Sequence, residues 1–165
     1  MAQRITRSLD RLTQVIGFVI ALLLFAMVVI MFCSVFYRYV LNAPLGWADQ
    51  MSQWIFVWLV YLGVAAGYRM RIHIGVDVIV KRLKPSVRKG IAVAVDLAIG
   101  FFLVVVAYYG SLITLRSLDQ VYGSLELPPS YMYAAGPVSA TIMLLFVLDS
   151  LRLRLIGKHP EEQKS

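Results

Sequence analysis

Asp96 is the only acidic residue inside a long apolar stretch, Ile91 to Leu115. An ionisable group at bilayer depth is the first candidate for chemistry, because placing it at the centre costs about 2.5–3.5 kcal/mol on insertion scales. Its position argues for a milder role. The stretch is centred near Leu103, so at 1.5 Å per residue Asp96 lies roughly 10 Å from the middle, within reach of water, Arg88, Lys89 or a partner subunit. A structural or partner-anchoring carboxylate is therefore preferred to an ion-coupling one.

The remaining reactive residue types do not assemble into a catalytic set. His73 and His159 both fall outside the apolar stretches, whereas haem held in a membrane anchor needs axial ligands within the bilayer. His73 precedes Asp77 by four residues, the spacing of a contact along one helix face, and Arg71 stands beside it. A local bond and a contact with a partner or lipid headgroup both remain open for this group. The one cysteine, Cys33, excludes disulfides, CxxC redox chemistry and cysteine-based zinc sites within the chain. No serine, histidine and aspartate set, phosphate-binding glycine loop or metal-ligand spacing is present. The expectation is a protein without enzymatic chemistry and without a cofactor.

The elements that carry these residues follow from composition. Of 165 residues, 60% are apolar and 15% charged, against about half and a quarter in soluble domains. Mean hydropathy is +0.76. Leu12 to Tyr37 is uncharged over 26 positions, Gln50 to Tyr68 over 19 and Leu127 to Leu148 over 22, while Ile91 to Leu115 spans 25 with Asp96 alone. About 20 apolar residues cross a hydrocarbon core of about 30 Å, so the expected fold is all-α, with four transmembrane helices in a single membrane domain. Arg4, Arg7 and Arg11 resemble the start of a signal peptide, but the apolar run after them is far longer than the ~7–15 residues of such a segment, and it reads as a retained span.

Fourteen of the sixteen basic residues lie at the N-terminus, between spans two and three, or in the C-terminal tail, leaving Arg38 and Arg116 on the other side. The positive-inside rule then places both termini and the connection between spans two and three in the cytoplasm, as in an inner-membrane protein. The net charge of +7 needs no nucleic acid, since a basic face beside anionic headgroups accounts for it. Ile72, Val76, Ile79 and Leu83 recur at helical intervals among basic residues, which predicts an interfacial amphipathic helix over about 72–84. The tail over 157–165 is expected to fray.

Span two carries the candidate contacts. Trp47, Met51, Trp54, Trp58 and Leu62 share one stripe, and a tryptophan well inside the bilayer wants a partner for its indole N–H. Packing within the bundle and a docking ridge for another membrane protein are equally open. Gly63 and Gly67, Ala94 and Ala98, and Gly136 and Ala140 repeat small residues at four-residue spacing, which predicts close helix approach. Arg38 and Asp49 lie together on the outer side, positioned to pair with each other or to face a soluble protein.

The run Gly46-Trp47-Ala48-Asp49, then Trp58-Leu59-Val60-Tyr61-Leu62-Gly63, then His73-Ile74-Gly75-Val76-Asp77, with Ser124-Leu125-Glu126-Leu127-Pro128 before span four, resembles the small membrane subunit (DctQ type) of tripartite ATP-independent periplasmic (TRAP) transporters. The resemblance covers roughly Leu12 to Leu155. It implies a scaffold beside a large membrane subunit that carries substrate and sodium sites, and a periplasmic binding protein that delivers an organic acid. Trp47, Trp54, Trp58 and Gly63 would then face the large subunit, with Arg38 and Asp49 toward the binding protein. One departure is visible: Gln50 follows Asp49 where the resemblance leads one to expect a second acid, which leaves Asp49 alone in docking. Two readings from other classes stand beside it, a membrane anchor of a respiratory enzyme and a small homo-oligomeric channel or exporter.

Overall fold

The computed structural model describes residues 2–70 and 85–155, with side chains over 9–70 and 90–152. The expected interfacial helix over 72–84, with Arg71, His73 and Asp77, and the tail over 157–165 lie outside the described residues. Within them the chain forms α1 (Ala2–Tyr39), α2 (Gly46–Arg69), α3 (Pro85–Arg116), a short α4 (Ser130–Tyr133) and α5 (Ala135–Leu155). Four helical stretches are long and apolar enough to cross a membrane: Leu9–Tyr39, Gly46–Arg69, Gly90–Arg116 and Ser130–Arg152. The protein is an all-α, multi-pass membrane protein.

The helices stand in a row. α1 packs on α2, α2 on α5, and α5 on α3. Half of the apolar stretch of the last span is buried, against 6% of that in the first, so α5 is the central post and α1 an edge. Ile16, Leu62, Ala66 and Phe146 form one buried cluster joining α1, α2 and α5. Ala65, Leu103, Ala140, Met143 and Val147 form another, joining α2, α3 and α5. Lipid tails are as apolar as these side chains, so close packing and polar contacts between helices, rather than the hydrophobic effect, hold such a bundle together.

Of the three small-residue pairs that the four-residue spacing suggests, one is buried in the bundle. Gly136 and Ala140 are buried, but Ala94 and Ala98 are exposed, and a Cβ built on Gly63 or Gly67 meets nothing within 4 Å among the described residues. The close approach falls on α3 instead. A Cβ at Gly110 would lie 3.0 Å from Cδ of Pro137, and one at Gly100 3.7 Å from Val147. Spacing alone ranks glycines by their neighbours in sequence, whereas the helix azimuth decides which of them meets a neighbour in space.

Pro137 also explains why the last span starts in two pieces. Proline has no N–H for the carbonyl four residues earlier, and its ring crowds that carbonyl. The residue concerned is Tyr133, where α4 ends, and Ala134 separates α4 from α5. Pro128 and Pro129 precede α4, so helix begins at Ser130 rather than at Leu127, where the apolar stretch starts. Hydroxyls on the spans bond back to their own helices: Thr13 to the Leu9 carbonyl, Ser111 to Ala107, Thr114 to Gly110 and Thr141 to Pro137. Such bonds satisfy a polar group where lipid offers no partner.

Candidate functional site

The polar groups of the bundle gather at its two ends. At the end bearing the N-terminus, Asp96 on α3 is buried at 3% exposure. Its Oδ1 accepts a hydrogen bond from the Tyr68 hydroxyl on α2 (3.1 Å), and its Oδ2 one from the Ser150 hydroxyl on α5 (3.1 Å). The carboxylate expected to be structural or partner-anchoring thus joins three helices. Beside it, Arg69 at the end of α2 donates through Nη1 to Asp149 Oδ2 on α5 (2.8 Å) and through Nη2 to Asp10 Oδ1 on α1 (3.0 Å). Its guanidinium also lies 5.8 Å from the centroid of the fully buried Phe146 ring. Two adjacent residues, Tyr68 and Arg69, therefore connect α2 to every other spanning helix at this end.

At the opposite end, Arg38 Nη2 and Asp49 Oδ2 are 3.0 Å apart, both largely exposed. The two residues that sequence left open pair with each other. Gln50 is buried, with Nε2 donating to the Tyr122 carbonyl (2.7 Å) and Oε1 accepting from the Leu125 N–H (3.1 Å). Ser124 Oγ donates to the Gly46 carbonyl (2.7 Å). These bonds fold the connection before α4 onto the first turn of α2. That connection holds a 3-10 turn, Gly123–Leu125, closed by an antiparallel bridge between Tyr122 and Leu127, with Gly123 (φ 73°) and Glu126 (φ 49°) in left-handed conformations.

The tryptophans separate into different environments. Trp54 is buried within the chain, and the Trp58 indole donates to the Tyr131 carbonyl on α4 (3.0 Å), so both are engaged inside this subunit. Trp47 remains 41% exposed. The outward face of α2 is instead the stripe Asp49, Gln53, Phe56, Val60, Gly63 and Gly67, spaced alternately by four and three residues. Phe56, Val60 and Gln53 are exposed. Gly63 is half-buried with open space beside its Cα, whereas Trp54 is buried in the bundle and Trp58 is half-buried and bonded to α4.

Sequence reasoning passed over Tyr68, Arg69, Asp149, Ser150 and Asp10. A usable signal existed for the charges, since four spans with both termini on one side bring Asp10, Arg69 and Asp149 to the same end, where opposite charges at span termini can pair. Gln50 registered only as a missing acid. Among the described residues no group of three or more His, Cys, Asp or Glu side chains could hold a metal.

Comparison with known proteins matches residues 27–157 to the family described as tripartite ATP-independent periplasmic transporters, DctQ component. A C4-dicarboxylate TRAP transporter small permease protein DctQ of Vibrio cholerae is 34% identical over 91 residues, 53% of this chain and 39% of that protein. One of the same name from Rhodobacter capsulatus is 32% identical over 102 residues, 60% of this chain and 44% of the relative. The matches thus span less than half the length of these two relatives. A putative TRAP transporter small permease protein of Haemophilus influenzae is 20% identical over 148 residues, covering 90% of this chain and 88% of the relative.

Proposed function

The chain belongs to the DctQ component family of TRAP transporters, and from that premise we propose that it is the fixed membrane scaffold of a three-part uptake system. Family membership makes it a transporter component rather than an enzyme, and favours neither the respiratory anchor nor the small channel. Its proposed partners are a large membrane subunit carrying the substrate and sodium sites and a periplasmic binding protein that delivers an organic acid. The C4-dicarboxylates named for two relatives are one such class. In this reading the termini and the connection with Arg71, His73 and Asp77 are cytoplasmic, and the end with Arg38 and Asp49 faces the periplasm of a bacterial inner membrane.

The observation that best supports a scaffold is the tying of α2 at both ends. Tyr68 and Arg69 bond it to α1, α3 and α5 at one end, while Gln50 and Trp58 bond it to the connection and α4 at the other. A neighbour that moves during transport needs a part that does not, and interhelical bonds at both ends resist shear within the bundle. Affinity capture of the tagged chain from detergent-solubilised native membranes tests this. A large polytopic partner among the captured chains is the expected result; redox subunits, or this chain alone as a stable oligomer, would overturn it.

The large-subunit contact is proposed for Trp47, Gly63 and the outward face of α2. Gly63→Leu is expected to leave the thermal midpoint of the isolated chain unchanged, since a Cβ there meets nothing within 4 Å, and to weaken capture of the large subunit about tenfold, equivalent to ~1.4 kcal/mol. Undiminished capture would remove Gly63 from the interface. Docking of the binding protein is proposed beside Asp49. Because exposed ion pairs are worth ~0–1 kcal/mol, Asp49→Ala should scarcely change stability while raising the binding-protein concentration needed for half-maximal uptake. An unchanged concentration dependence in reconstituted vesicles would count against that role.

A further inference from the structure

Gln50 is used from both sides of its amide. The Tyr122 carbonyl can only accept and the Leu125 N–H can only donate, so the two backbone groups fix which end of the side chain is nitrogen and which is oxygen. A carboxylate at this position would set an oxygen against the Tyr122 carbonyl, two acceptors with no proton between them. The acid expected from the resemblance does not fit this arrangement in its ionised form. Gly123 completes the lock, because its φ of +73° suits glycine and a Cβ there would run into the Gln50 amide.

The turn held in this way carries exposed groups. Val121 is 71% and Tyr122 61% exposed, and Glu126 stands exposed in its left-handed turn. The neighbouring charges are Arg38 and Asp49, paired with each other on α1 and α2, and Arg116 and Asp119, exposed at and just after the end of α3. None of them bonds Gln50, whose partners are the Tyr122 and Leu125 backbone and the Ser124 hydroxyl. The bonds of the lock therefore involve no ionisable side chain.

We infer that Gln50 is a positioning residue, whose uncharged amide, with Gly123, holds the Tyr122–Leu127 turn in the shape presented to the soluble periplasmic partner. The inference rests on the scaffold reading above, which makes this end periplasmic. Gln50→Glu converts the lock into one that works only when protonated: the acid form can donate to the Tyr122 carbonyl, and the carboxylate cannot.

Two readouts on the full chain test it separately. In the first, hydrogen exchange over residues 121–127 is followed in lipid nanodiscs, each variant being compared with wild type at the same pH so that the intrinsic pH dependence cancels. Gln50→Glu should exchange severalfold faster than wild type at pH 8 and approach it near pH 4.5, whereas Gly123→Ala should exchange faster at both. Equal exchange of Gln50→Glu and wild type at pH 8, or a deficit unaltered by acid, would overturn the lock. In the second, uptake by the reconstituted three-part complex is titrated with binding protein. Gln50→Glu should raise the half-saturating concentration severalfold at pH 8, less so in acid, with maximal uptake unchanged. A normal exchange response with no shift in that concentration would overturn the positioning role. Absence of uptake with wild type would instead defeat the scaffold reading, with the exchange result still deciding the lock.

Discussion

Arg69→Leu is expected to lower the midpoint of thermal unfolding in nanodiscs by on the order of 10 °C, corresponding to a loss of about 3 kcal/mol for a chain of this size. The reason is the partner left behind. Asp149 has only 4% of its side chain exposed and takes its ion pair from Arg69 at 2.8 Å. Removing one member of a buried pair leaves an uncompensated charge, which costs more than the pair itself contributes. The guanidinium also lies against the Phe146 ring, so the substitution loses a cation–π contact beside the core that joins α1, α2 and α5. Two companions make the result specific. Asp10→Asn removes the other, 60% exposed partner and should cost less than ~1 kcal/mol. Arg69→Leu combined with Asp149→Leu should recover most of the loss, because no charge is then stranded. Equal melting of Arg69→Leu and wild type would show that the pair does not brace the bundle.

The charge pattern illustrates what is legible in such a sequence. Uncharged stretches found the spanning helices because bilayer thickness sets their length, and a single carboxylate within one of them marked Asp96 as a residue that must be satisfied. The partners of Asp96 were not legible, since Tyr68 and Ser150 are ordinary residues until three helices converge on one point. The tryptophans show the same limit. Depth in the bilayer predicts that the Trp58 N–H needs an acceptor, and it has one, but nothing in the spacing names the Tyr131 carbonyl at the start of the last span. Gln50 was hardest to read. A resemblance presents it as a lost acid, whereas the geometry gives its amide a donor and an acceptor task that no carboxylate can perform together.

Glycines provide the sharper contrast, and with it the second large effect. Gly110→Leu should destabilise the chain by at least ~1–3 kcal/mol, the usual cost of forcing side-chain atoms into a packed contact, while the same change at Gly63 should cost nothing in the isolated subunit. Both lie within helices, and glycine to leucine improves helix propensity by under ~1 kcal/mol at either. They differ in what stands opposite. A Cβ at Gly110 already reaches 3.0 Å from Cδ of Pro137 and 3.5 Å from its backbone nitrogen. A proline ring and backbone cannot swing aside as a flexible side chain can, so the remaining leucine carbons must push α3 away from α5. Gly100, 3.7 Å from Val147 by the same measure, should accept alanine without loss. Gly110 and Asp96 are roughly 20 Å apart along α3 at 1.5 Å per residue. Splaying at Gly110 should therefore raise hydrogen exchange around Ala134 and leave the Asp96 end protected, and its energy should add to that of Arg69→Leu because the sites share no contacts. A loss that spread evenly over the bundle, or none at all, would mean that the Gly110 and Pro137 contact does not set the α3 and α5 spacing.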